Sequence, residues 1–189
     1  MLKTRVILSE VVNLSDARYA AGMGVDYIGF AINPASNRLV TAAQAGAISE
    51  WLSGVEIIGD IGDTRPANLS EYRLDLIQTN NEGLLADLKA GILAVDVKDA
   101  TERLLARYKE QVVFFVLYSG NPEADKQHLA SLCRQFPVFL ATEFTAERLE
   151  VVLSAIQPAG IVLRGSEEEK PGLSNYDGIA DILELLEAE

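Results

Sequence analysis

The sequence predicts an α/β chain folded as a single (β/α)8 TIM barrel over residues 1–189, compact and with short loops. Three observations carry this. Eight short apolar runs recur along the chain at a steady spacing. Helically patterned segments separate them, as expected for parallel strands joined by crossover helices. Several of the runs are too continuously apolar for strands wet on one face. An open doubly wound sheet would want a glycine-rich phosphate loop after the first strand, and Ser9-Glu10-Val11-Val12-Asn13 is not one. Such barrels usually run to about 250 residues, so 189 leaves little room for decoration.

The strands are expected at 6–8, 25–32, 55–58, 74–77, 92–97, 112–117, 138–141 and 160–163. Between the first two, Ser15 is placed to cap a helix starting at Asp16, and Gly22 and Gly24 to end it. Further helices are expected over 42–52, 84–89, 101–108, 125–134, 146–156 and 176–187, with the third crossover weakest because 68–73 offers barely two turns. The acidic run Glu167-Glu168-Glu169 reads as a solvated loop, and neither linker nor low-complexity tract divides the chain.

Composition narrows the function. With 28 acidic and 16 basic side chains the net charge is −12, which repels phosphate backbones and argues against a nucleic-acid partner. No run of about 18 apolar residues suggests a membrane span, and no signal-peptide pattern opens the chain. The lone cysteine, Cys133, allows no internal disulfide and fits a reducing cytoplasm; its helical apolar setting marks it as packing rather than nucleophile. With His128 the single histidine, on a helix surface, neither a zinc site nor a serine–histidine triad is expected, and no metal or cofactor is implied.

Residues 9–40 hold the most specific pattern: Asn13, Asp16-Ala17, Gly24-Val25-Asp26-Tyr27-Ile28-Gly29-Phe30 and Ser36-Asn37-Arg38-Leu39-Val40. This resembles phosphoribosylanthranilate isomerase of tryptophan biosynthesis. That family opens with a strand ending Cys-Gly-Ile-Thr-Asn, then an Asp-Ala helix, a Gly-Ala-Asp-x-(Ile/Val)-Gly-Phe strand and a Ser-Pro-Arg-x-Val turn. Fainter parallels follow at Ile57-Ile58-Gly59, Gln78-Thr79-Asn80-Asn81, Leu140-Ala141-Thr142-Glu143-Phe144, Arg164-Gly165-Ser166-Glu167 and Pro171-Gly172.

The resemblance implies an Amadori rearrangement of a phosphoribosylamine, with an aspartate on strand six as acid and the cysteine ending strand one as base. Aligning on Asn13 and Asp16 puts Ser9 at the cysteine position, and strand six, Val113 to Tyr118, carries no carboxylate. A hydroxyl is far harder to ionise than a thiol. Thr142-Glu143 replaces the phosphate loop's glycine pair, leaving Arg164 and Gly165 to meet an anion there. Gln78 and Arg38 fall at substrate-binding positions, Arg38 where the family's arginine meets the anthranilate carboxylate; a turn arginine paired with an acid is its other reading.

Asp60, Asp96, Lys98, Tyr118, Glu143 and Arg164 lie in or just past the expected strands. Asp96 and Lys98, two apart, share a strand face. These groups either build a new site or form an internal ion network. The function expected is thus an isomerase-like barrel no longer competent for the rearrangement, binding a small metabolite, possibly a sugar phosphate, or a partner. Two alternatives stay open. One is a working isomerase with Asp60 or Asp96 as acid and Glu10 or Glu143 as base; the other is a different barrel enzyme centred on Lys98. The oligomeric state is not legible.

Overall fold

The computed structural model describes residues 1–166, 168–170, 173–174 and 177–187. Eight parallel strands close into a barrel in chain order: β1 (Arg5–Ser9), β2 (Tyr27–Ala31), β3 (Glu56–Asp60), β4 (Leu76–Thr79), β5 (Gly91–Asp96), β6 (Val112–Tyr118), β7 (Val138–Ala141) and β8 (Gly160–Arg164). β1 and β8 pair along five residues, from Arg5 with Gly160 to Ser9 with Arg164, and so shut the cylinder. The predicted α/β barrel is present.

Side chains alternate in and out along each strand. One set, including Ile7, Tyr27, Ile58, Ile92, Phe114 and Phe139, fills the barrel interior as its own cluster. The other set, including Leu8, Ile28, Phe30, Phe115 and Leu140, packs outward into the larger cluster under the helices. Strands buried on both faces need both sets apolar, which is why the sequence shows continuous apolar runs rather than alternation. The narrow N-terminal end of the barrel is filled by Tyr27, Phe114 and Phe139, with ring centroids 5.4 Å (27 to 114) and 4.4 Å (114 to 139) apart. Gly160 leaves room for the Phe139 ring; a Cβ there would overlap that ring and come within 2.7 Å of the Arg5 carbonyl oxygen.

The helical layer departs from expectation in places. Helix α1 spans Leu14–Met23 and its cap is Asn13, whose side chain accepts from the Asp16 N–H; Ser15 lies inside the helix. Gly24 ends α1 with φ 83°, the left-handed conformation that favours glycine. Helix α2 (Ala42–Ser49) opens on a capping box between Thr41 and Gln44. The crossovers after β3 and β4 hold only 3₁₀ turns, Leu69–Glu71 and Glu82–Asp87, so the helix expected at 84–89 is not α-helical. The connection after β4, residues 80–90, is the shortest in the barrel and leaves little chain for an α-helix once it has returned to the barrel's base.

Helices α3 (Glu102–Tyr108), α4 (Lys126–Cys133) and α5 (Ala146–Val151) follow, the last continuing as a π-helical segment, Val152–Ile156. Helix α6 spans Asp177–Leu186; Tyr176, at its expected start, lies outside the described residues. Two short antiparallel strands, β9 (Glu168–Lys170) and β10 (Leu173–Ser174), replace the expected solvated loop after β8. Glu167, Pro171 and Gly172 lie outside the described residues. His128 is exposed on α4 with Nε2 2.7 Å from the Ala100 carbonyl. Cys133 packs at the core margin, where burial pushes its thiol up to about 12. No helix among the described residues is long and apolar enough to cross a membrane.

Candidate active site at the barrel mouth

A cavity of about 610 Å³ opens at the C-terminal ends of the strands. Its walls follow from the inward row of each strand. Stepping two residues beyond an inward core side chain reaches a polar one at the mouth: Ile7 to Ser9, Ile58 to Asp60, Leu76 to Gln78, Ala94 to Asp96, Val116 to Tyr118, Ala141 to Glu143 and Val162 to Arg164. All seven polar residues line the cavity, joined by Glu10, Thr142, Ser119 and Gly120.

Asp60 and Gln78 form the best-ordered part. The Asp60 carboxylate accepts from the Gly62 N–H at 2.9 Å and from Gln78 Nε2 at 3.0 Å. Gln78, 8% exposed, also donates to the Tyr118 hydroxyl at 3.3 Å. Burial pushes Asp60 above the usual aspartate range, and the Glu10 charge adds to this, against the lowering pull of the Gly62 and Gln78 donors. Although 43% of Tyr118 is open to solvent, its hydroxyl sits among these groups. Desolvation there, with the Asp60 and Glu10 charges, lifts the phenol to about 12. It remains a neutral hydrogen-bonding group at physiological pH.

Opposite them, Glu10 is gripped by two arginines. Its Oε2 accepts from Arg164 Nε at 2.7 Å and lies 3.5 Å from Arg38 Nε. Arg38, with a side chain 9% exposed, donates to the carbonyls of Glu10 at 2.8 Å, Gly165 at 3.3 Å and Ser166 at 2.7 Å. It therefore ties the loops after β1 and β8 together and pairs with an acid, as the second reading of it expects, and it is not among the residues that line the cavity.

The first two backbone donors after β8 are taken as well. The Gly165 N–H donates to the Ser9 carbonyl at 2.7 Å, and the Ser166 N–H to Asp16 Oδ2 at 2.9 Å. Ser166 Oγ also donates to that carboxylate oxygen, at 2.7 Å, and Asp16 is 1% exposed. Gly165 packs on the β1 loop, where an added Cβ would come within 3.1 Å of the Glu10 carbonyl oxygen, and it too stays outside the cavity. Ser9, for its part, donates its hydroxyl to the Leu163 carbonyl at 3.0 Å.

Lys98 does not join the site. β5 ends at Asp96, whose carbonyl accepts from the Asp99 and Ala100 N–H groups in a tight turn. The two-residue periodicity stops there, and Lys98 is exposed outside the cavity, with its backbone N–H on Asp96 Oδ1 at 2.9 Å. The expected face shared by Asp96 and Lys98 is therefore not formed. The pairing of Asp16 with Ser166 was missed because it joins residues 150 apart; a buried aspartate in the first turn of α1 was its only trace. Among the described residues no group of three or more His, Cys, Asp or Glu side chains is placed to hold a metal ion.

No family model matches the chain. It is 26% identical to N-(5'-phosphoribosyl)anthranilate isomerase of Deinococcus radiodurans, covering 97% of each chain. It is 25% identical to that of Geobacter metallireducens, covering 97% of this chain and 99% of the relative. Among solved structures, phosphoribosylanthranilate isomerase of Thermus thermophilus superposes with TM-score 0.79 at 25% identity, over 96% of this chain and 98% of that one. A phosphoribosylanthranilate isomerase in complex with reduced 1-(o-carboxyphenylamino)-1-deoxyribulose 5-phosphate superposes with TM-score 0.77 at 22% identity, over 97% of this chain and 98% of that one. In fold, and in sequence along most of its length, the chain is a relative of the phosphoribosylanthranilate isomerases.

Proposed function

We propose that the chain is an isomerase-like barrel that does not perform the Amadori rearrangement and instead binds a small polar metabolite at the barrel mouth, in the cytoplasm and without a cofactor. The observation that carries this is β6. Its inward row reads Phe114, Val116, Tyr118, so the strand on which the resemblance places the general acid offers the cavity a phenol held near 12 and no carboxylate. An acid that protonates a ring oxygen must release its proton near neutral pH, which this phenol does not. Ser9, at the base position, supports the same reading, since its hydroxyl is turned to the Leu163 carbonyl and no histidine is near to activate it.

A second reading has one observation in its favour. Burial raises Asp60 toward the range in which a carboxylic acid keeps its proton, and Glu10 and Glu143 line the same cavity as candidate bases. The readings separate cleanly. Expression in a tryptophan auxotroph lacking the isomerase is expected not to restore growth, and the purified chain not to turn over phosphoribosylanthranilate. Growth that disappears with Asp60→Asn would establish the second reading instead.

A further inference from the structure

We infer that the barrel mouth binds a small hydroxylated organic cation, an amine-bearing sugar or a molecule of similar size and chemistry, and not a sugar phosphate. This rests on the proposed reading that the cavity is a metabolite site, and it specifies the ligand class. The charge of the lining points that way. Glu10, Asp60, Asp96 and Glu143 face the cavity against, among the described residues, a single guanidinium, Arg164, and Arg164 is already paired with Glu10. Three carboxylates remain, and among the described residues none of them has a basic side chain within ion-pair distance.

Three groups at the β1 and β8 loops that could recognise an anion are occupied by the protein itself. The N–H groups of Gly165 and Ser166 end on the Ser9 carbonyl and the Asp16 carboxylate, and the Arg38 guanidinium ends on backbone carbonyls. A phosphate drawing on these groups would have to break their bonds and face Glu143 as well. A cation meets the opposite situation, since unpaired carboxylates gain charge-assisted hydrogen bonds from an ammonium group.

Two further features select an organic cation. The carboxylates are spread around the mouth rather than gathered, so no metal-binding group forms among the described residues. The cavity, about 610 Å³, is within the size range of small-molecule sites, and its walls mix Ile58 and Val162 with the amide of Gln78 and the hydroxyl of Tyr118. Apolar carbons and hydroxyl groups on one scaffold match such a lining; a bare amine offers nothing to its apolar walls.

The test is calorimetric titration of the full chain at about pH 6, where the amines are protonated, with D-glucosamine and D-galactosamine, with neutral D-glucose and D-galactose, and with ribose 5-phosphate. At least one amino sugar is expected to bind about tenfold or more tightly than its neutral counterpart, the difference a charge-assisted bond supplies, and ribose 5-phosphate to give no signal. Asp60→Asn and Glu143→Gln, checked for native circular dichroism, are expected each to shrink that preference. Equal binding of amino and neutral sugars, no binding of either amino sugar, or binding of ribose 5-phosphate would overturn the inference. Turnover of phosphoribosylanthranilate would instead overturn the reading on which it rests, so the two failures are told apart.

Discussion

Arg38 and Asp60 show how single side chains divide the labour at the mouth. Arg38 satisfies three backbone carbonyls across two loops and pairs with Glu10, so Arg38→Ala leaves several acceptors in a half-buried setting unpaired. A loss of about 2–4 kcal/mol in urea unfolding is expected. Arg38→Lys should recover only part, because an ammonium lacks the planar fork that reaches several carbonyls at once. Asp60 works in the other sense. Its folded pKa lies above its unfolded one, so the fold favours the protonated form. Its stabilising contribution is present below the unfolded value and is lost as pH rises through the folded value. Asp60→Asn is therefore expected to raise the thermal midpoint at neutral pH relative to wild type, with the gain vanishing in acid, as read by calorimetry across pH. Gln78 can turn its amide to meet the new side chain, since the Tyr118 hydroxyl is able to donate in return.

At the scale of elements, the strands owe their stability to packing, and the helices owe part of theirs to their ends. Gly160→Ala forces a methyl group into the Phe139 ring and against the Arg5 carbonyl, in a part of the barrel already filled by three aromatic rings. A cost of about 3 kcal/mol, at the upper end of overpacking effects, is expected in denaturant unfolding. Thr41→Ala removes one cap from an exposed helix start and should cost only about 1 kcal/mol. The contrast ranks the two layers. Strand positions were also the most legible in the sequence, because a strand buried on both faces shows an unbroken apolar run. Helix starts were less so: Asn13 and Ser15 are both capable caps two residues apart, and it is Asn13 that has the extended backbone and accepts from the Asp16 N–H. The weakness of the third crossover was legible, since 68–73 offers barely two turns; the 3₁₀ form of the segment after β4 was not, because helical patterning does not reveal how little chain joins that strand to the next.

On the scale of the whole molecule, a net charge of −12 makes the fold repel itself. Adding moderate salt should therefore raise the thermal midpoint by about 2 °C, the shift that roughly 0.5–1 kcal/mol gives at this size. The cavity residues were readable to the extent that a strand's two-residue step continues to the mouth: it carries Ser9, Asp60, Gln78, Asp96, Tyr118, Glu143 and Arg164 into one cavity, and it fails at Lys98, where the strand turns. The uses of Arg38 and Gly165 were hidden because their partners lie far along the chain, up to 128 residues away for Arg38. Those same long-range ties bear on how the molecule can change. Gly165 and Ser166, the first residues after β8, are held by acceptors from Ser9 and Asp16, while Arg164 answers to Glu10. Undoing any one of these ties frees a donor and leaves its acceptor short of a partner, so the loops after β1 and β8 hold or give way together. A change made at the end of the last barrel strand is thereby felt at the start of the first helix, where Asp16 sits.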